Sequence, residues 1–142
     1  MPYEIFEHTA DIGLRVRAKD LPCLFKDAAE GFYSFLTDLE VIRKIGPKDF
    51  REIEINFQET DTAELFMHWL QELLFAFSAR RLIPLNYHFV TLTPVMVKMK
   101  AQAVRFDPEK YPSRHEIKAV THHQFRVVRE KSGWLAEVIF DI

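Results

Sequence analysis

The sequence predicts an α+β fold, two helices packed on a mostly antiparallel β-sheet, in a single domain spanning residues 1–142. Two stretches carry apolar residues at helical spacing, and much of the remainder alternates apolar with polar residues as half-buried strands do. The length, 142 residues, is that of one domain, and 48% apolar residues with 13 phenylalanines give ample material for a core. No repeat, low-complexity tract or linker marks an internal boundary.

Residues 3–8 and 12–19 read as short strands that meet near Asp11–Ile12–Gly13. Gly13 supplies backbone freedom and the Asp11 side chain can bond its own turn, so a bend or bulge is expected there. Residues 20–38, DLPCLFKDAAEGFYSFLTD, form the first helix. Asp20 is placed to cap it, and Pro22 falls in the first turn, where its missing N–H costs little. Leu21, Leu24, Phe25, Ala28, Ala29, Phe32, Phe35 and Leu36 make one apolar face. FREIEINF, residues 50–57, alternates with Ile53, Ile55 and Phe57 on one side and reads as a strand.

Residues 61–80 form the second helix, with Asp61 and Glu64 in capping-box relation. Its stripe of Leu65, Phe66, Trp69, Leu70, Leu73, Leu74 and Phe77 is wide enough to cover a sheet, and is read as core rather than as a cofactor pocket. Strand-like runs then occupy residues 87–94, 95–106, 122–130 and 133–142, with Glu130–Gly133 as the last hairpin turn. Residues 107–121 remain as a long, charged loop with two prolines, a length that in compact domains often carries function.

Composition narrows the function classes. A single cysteine, Cys23, excludes a disulfide framework and any multi-cysteine zinc site and points to a reducing compartment. Without a signal-like leader or an apolar run near the ~18 residues of a membrane span, a cytoplasmic location is expected. Net charge is −2 and the pI near 6.3, so the overall field does not favour nucleic acid. Residues 98–118 hold a mild surplus of Lys and Arg, read as solvated surface. With four glycines and no Gly-x-Ser-x-Gly, phosphate-cradling or dinucleotide motif, classical nucleotide binding is improbable.

Cys23 lies on the apolar side of the first helix without a basic neighbour and reads as a buried structural thiol. None of the six histidines forms a helical His-x-x-x-His pair, and adjacent His122 and His123 would point to opposite faces of a strand. The acids say more. Asp11 stands at one strand end and Asp141 at another, followed only by Ile142 and its carboxylate. If the first hairpin and the last strand are neighbours, these oxygens converge. Two like charges ~4 Å apart repel by about 1 kcal/mol in water and about 4 kcal/mol at an effective dielectric near 20. A hard cation such as Ca²⁺, Mg²⁺ or Mn²⁺ would relieve that cost. The plainer alternative is a turn-shaping Asp11 and a solvated Asp141; spacing alone favours it and gives no distance between them.

YEIFEHTADIGLRVRA (3–18), RFDPEKY (105–111), KAVTHH (118–123) and GWLAEVIFDI (133–142), with the helical LFMHWLQELLFAF, together resemble the archease family over essentially the whole chain. The HTADIG-type motif and the FDI terminus are specific as a pair; the family's usual Tyr is His122 here.

The resemblance implies an activator of an RtcB-type RNA ligase. Such ligases join RNA ends bearing 2′,3′-cyclic phosphate or 3′-phosphate to 5′-hydroxyl ends in tRNA splicing and RNA repair. The activator, itself not an enzyme, promotes GTP-dependent guanylylation of the ligase and its multiple turnover. The implied metal ligands are Asp11, Asp141 and Ile142 through its carboxylate, for a divalent cation: Ca²⁺ in a structure, Mg²⁺ or Mn²⁺ in function. This reading gives Lys118 and Glu116 to contacts with the ligase or its nucleotide, an exposed ion pair being the alternative, and His8 and Thr9 to support of the metal ligands. RNA is met only through the ligase. The competing classes are a stand-alone metal-dependent phosphoesterase or hydrolase using the same carboxylates, and a chaperone-like or RNA-binding adaptor.

Overall fold

A computed structural model describes residues 2–8, 11–46 and 48–142. The elements in chain order are β1 (Tyr3–His8), β2 (Asp11–Ala18), α1 (Leu21–Leu36), α2 (Leu39–Ile45), β3 (Arg51–Gln58), α3 (Thr62–Ser78), β4 (Leu82–Thr93), β5 (Met96–Arg105), β6 (Ala119–Glu130) and β7 (Gly133–Asp141). This is the predicted α+β class with wholly antiparallel pairing, divided into two sheets ordered β1-β2-β7-β6 and β3-β5-β4. A binary pattern tells which face of a strand is buried but not which strand lies beside it, so the division is invisible in the sequence.

The helices form a layer buried against both sheets. Helix α1 packs on β1, β2 and β7 of the first sheet and on β4 of the second; α3 packs on β6 and β4. Its double burial explains why Gly31 and Tyr33 are buried beyond the eight residues of the expected α1 stripe, all of which are buried. Tyr33 donates its hydroxyl to the Leu73 carbonyl at 2.8 Å, and the Trp69 indole donates to the Phe25 carbonyl at 3.0 Å. These bonds satisfy two polar groups deep in the core while tying α1 to α3. Phe25 meets Phe66 edge-on at 5.4 Å between centroids and Phe32 meets Phe140 at 5.5 Å, linking helices and sheet.

The caps follow the sequence. Asp20 accepts from the Cys23 N–H at 2.9 Å and Asp61 from the Glu64 N–H at 2.8 Å, each satisfying an orphan donor of a first turn. The same device starts the short helix α2, which the periodicity does not reveal: Asp38 accepts from Glu40 and Val41, and Gly46 closes the helix at φ +64°. Seven residues are too few for a convincing 3.6-residue pattern, yet Asp38 and Gly46 bracket them as start and stop signals.

Three local expectations are corrected. The first hairpin has no bulge along β2, since Asp11–Ala18 pairs without a break. Gly13 is needed for space rather than for a special angle, because a Cβ there would stand 2.1–2.5 Å from the Phe6 ring. Strand β4 begins at Leu82, five residues before the alternating run, and passes through Pro84 at a register shift. Edge position and a bulge are the circumstances in which a strand tolerates proline. Strand β6 begins at Ala119 rather than His122, and its irregularity lies between Thr121 and Arg126, where Gln124 adopts φ +52°.

Candidate functional site

Segments from opposite ends of the sequence are neighbours in the first sheet. Strand β2 from the N-terminal hairpin and the final strand β7 are antiparallel neighbours, and their register sets Asp11 directly opposite Asp141. Directly opposite side chains in an antiparallel pair have Cβ atoms roughly 4.5–5.5 Å apart, and like charges there are destabilising. The rest of this face shows how unusual the arrangement is. Four residues along the same strands, Glu4, Arg15, Glu137 and Arg126 stand in one row across all four strands. Their charges alternate in sign.

Within that row, Arg15 reaches Glu137 at 3.0 Å and Glu4 at 3.5 Å, and Arg126 reaches Glu137 at 2.6 Å. Partial burial alone would raise the Glu137 carboxyl, but the hydrogen bonds and charges of Arg126 and Arg15 outweigh it and hold the group below the ordinary glutamate range. The same sheet sets Asp11 and Asp141 opposite each other in register at its end. Asp11 is half-buried and Asp141 exposed, with Ile142 next in the chain and 41% exposed.

A long loop frames this end. Residues 106–118 leave β5, cross the C-terminal end of α1 and enter β6 beside Asp141. Thr37, fully buried, donates its hydroxyl to the Pro112 carbonyl at 2.6 Å. The Arg114 N–H donates to the Leu36 carbonyl at 2.9 Å. The Arg114 guanidinium donates to the Ser34 carbonyl at 3.1 Å and to Asp38 at 3.0 Å. His115 stacks on Phe35 at 4.5 Å, and Tyr111 and Ile117 are buried in the core. The last tie is to the site itself: the Lys118 N–H donates to the Asp141 carbonyl at 2.7 Å, and Ala119 pairs with Asp141 from the opposite side to Asp11. Thr37 and Arg114 escaped the sequence reading. Their only signals are a Thr directly before a helix-capping Asp and an Arg inside the charged loop.

Among the residues assigned a role from the sequence, Asp11 and Asp141 are brought together and Ile142 adjoins them. Glu116 and Lys118 are exposed at the end of the loop; among the described residues neither takes part in an ion pair. His8 pairs in register with Asp11 through the backbone, while Thr9 lies outside the described residues. Among the described residues no group of three or more His, Cys, Asp and Glu side chains could hold a metal ion. As a donor set, two opposed carboxylates suit a hard cation, yet they leave coordination positions for water or another molecule.

The other candidates resolve structurally. Cys23 is half-buried rather than fully buried; its hydrogen bond to the Asp20 carboxylate and its burial push the thiol up, away from reactivity. His68 bridges Glu59 at 2.7 Å and Glu72 at 3.2 Å while stacking on Phe57. No helix among the described residues is long and apolar enough to cross a membrane.

The profile of the archease protein family matches residues 3–142. The chain is 32% identical to a protein archease of Methanopyrus kandleri over 145 aligned positions, covering all of both chains. It is 31% identical to that of Thermococcus gammatolerans, covering 99% of this chain and 98% of the relative. In three dimensions it is similar to the solution structure of Methanobacterium thermoautotrophicum protein 1598, with a TM-score of 0.74, 26% identity and 99% coverage of each chain.

Proposed function

The chain belongs to the archease family, and on that premise we propose that it activates an RtcB-type RNA ligase in the cytoplasm rather than catalysing a reaction itself. The observation that carries the proposal is the placement of Asp11 opposite Asp141 at the joined ends of β2 and β7. Two carboxylates set opposite each other in register offer oxygens to a shared cation. The protein would hold a divalent cation, Ca²⁺, Mg²⁺ or Mn²⁺, through Asp11, Asp141 and the Ile142 carboxylate, with positions left for the ligase or its nucleotide. When bound, the cation supplies positive charge for the phosphates of GTP.

The chain's own residues do the rest. Asp11 and Asp141 fix the oxygens on two paired strands, a rigid mounting. The loop tied to α1 brings the Lys118 backbone to Asp141, with Glu116 two residues earlier, and the Lys118 ammonium offers a compact charge for a phosphate or a ligase carboxylate. In this reading His8, whose backbone pairs with Asp11, and Thr9 would support the Asp11 oxygens. By promoting ligase guanylylation and multiple turnover, the protein would serve tRNA splicing and RNA repair without gripping RNA at this end.

The test is guanylylation of a cognate ligase by GTP, with and without this protein. The wild type should accelerate it, and Asp11→Ala and Asp141→Ala should not, with the fold retained by circular dichroism. Unchanged stimulation by both variants discards the site. The same assay addresses a stand-alone phosphoesterase: hydrolysis of RNA or nucleotide by the purified protein, lost in Asp141→Ala, would favour that class instead.

A further inference from the structure

Away from the acidic strand ends, a cavity of about 800 Å³ opens between the C-terminal end of α2, the turn after α3 and the start of the loop that follows β5. It is lined by four cations, Lys48, Arg81, Arg105 and Lys110, against two acids, Asp49 and Asp107. Asp107 is already engaged in its own turn, accepting from the Glu109 N–H at 2.9 Å. All four cations are exposed, and among the described residues none of them takes part in an ion pair. Outside the cavity, Arg15, Arg17, Arg43, Arg114 and Arg126 meet carboxylates within 4 Å, whereas among the described residues Arg51, Arg80 and Arg129 take part in no ion pair. A chain of net charge −2 thus keeps a concave surface on which four cations outnumber two acids.

Arg81 adds a second, independent observation. It follows α3 with φ +53°, in the left-handed region, where glycine or asparagine normally ends a helix. Its N–H and carbonyl are both used, donating to the Phe77 carbonyl at 3.0 Å and accepting from Phe106 at 2.7 Å. Its guanidinium lies over the Phe77 ring, 5.1 Å from the centroid. A glycine would satisfy this backbone with less strain, so the turn itself gives no reason for an arginine side chain.

We propose that this cavity binds the phosphate backbone of a single-stranded RNA. Two guanidinium forks and two ammonium groups suit closely spaced phosphate oxygens. Phe106 and Tyr111, the aromatic residues in the lining, are buried and offer no face on which a base can stack; binding is therefore indifferent to sequence and driven by charge. The choice of RNA rests on the ligase-activator reading above, whereas the anionic chemistry rests on the cavity alone. The mild basic surplus of residues 98–118 supplies Arg105 and Lys110, and the fold adds Lys48 and Arg81 from elsewhere. The distribution of charge, rather than its net value, decides.

The experiment is fluorescence-anisotropy binding of a labelled ~12-nucleotide RNA to the intact protein from about 50 to 200 mM salt. Four phosphate contacts give a slope of log affinity against log salt near −3, from roughly −0.7 per contact on a single strand. Arg105→Ala/Lys110→Ala should flatten that slope by about 1.4 and weaken binding at low salt. Arg81→Gly should weaken binding without lowering the melting temperature, since it relieves the backbone. Lys131→Ala, in the β6–β7 turn, should change nothing. GTP and inorganic phosphate, tried as competitors at equal phosphate concentration, should displace the strand poorly. Equal displacement by either overturns the strand in favour of a small anion, and RNA binding that is absent or insensitive to these substitutions overturns the site. Guanylylation of the ligase without RNA should be unaffected by Arg105→Ala/Lys110→Ala, so failure here is separable from failure of the activator reading.

Discussion

Thr37→Val isolates one hydroxyl whose loss should loosen the frame of the acidic site. The residue is fully buried, and its hydroxyl joins the end of α1 to the Pro112 carbonyl at 2.6 Å. Valine has nearly the same shape, so no cavity opens and the change reports the hydrogen bond. A neutral bond of this kind contributes about 1 kcal/mol net, and an orphaned carbonyl adds 1–3 kcal/mol when water is excluded. Pro112 is exposed, so water replaces the donor and the total stays near about 1–1.5 kcal/mol. For a domain of this size that lowers Tm by roughly 3–6 °C.

The local signature is sharper than the global one. The Arg114 N–H and the Lys118 N–H are held by the Leu36 and Asp141 carbonyls, and their hydrogen exchange should accelerate more than that of β2 or β7 amides. Ligase stimulation should fall although both aspartates remain. An unaltered Tm together with unaltered exchange at both amides would refute the idea that this bond fastens the loop.

Gly13→Ala should cost about 0.5–1.5 kcal/mol by turning the half-buried Phe6 ring aside, and the penalty should shrink in a Phe6→Leu background, as a thermal-melt double-mutant cycle would show. Glu137→Gln should lower stability at pH 7 and flatten its acid dependence. The folded carboxyl lies below its ordinary value, so its stabilisation is fully present above about pH 4.3 and is lost as pH falls through the folded value. Wild type and variant melts should therefore converge as pH falls through the folded value. Asp141→Asn, measured in chelator, should raise stability slightly, by up to about 1 kcal/mol, because it removes a like-charged neighbour of Asp11; a clear loss instead would mean the carboxylate is structural.

Local chemistry was readable from the sequence, and adjacency was not. Asp20 and Asp61 announced their caps, and the expected apolar face of α1 is buried throughout, whereas on α3 Leu74 and Phe77 are only half-buried and Met67 and Ala76 are buried instead. What escaped depends on contacts distant in the chain. Gly13 suggested a bend, whereas its reason is the Phe6 ring across the hairpin. Pro84 hid the start of β4, because a proline argues against a strand unless the strand is known to lie at an edge. The acidic pair shows the limit most clearly. Each aspartate was visible at a strand end, but only the pairing of the second strand with the last one brings them opposite each other. Periodicity carries no information on that pairing, and the family resemblance was what pointed to it.

The most direct test of a cation held by Asp11 and Asp141 is a Mn²⁺ titration followed by amide NMR. Paramagnetic broadening should appear first at Asp11, Lys118, Ala119, Asp141 and Ile142 and should vanish in Asp141→Asn. Broadening that begins elsewhere, for instance around Glu59, His68 and Glu72, or that persists unchanged in the variant, would contradict the account.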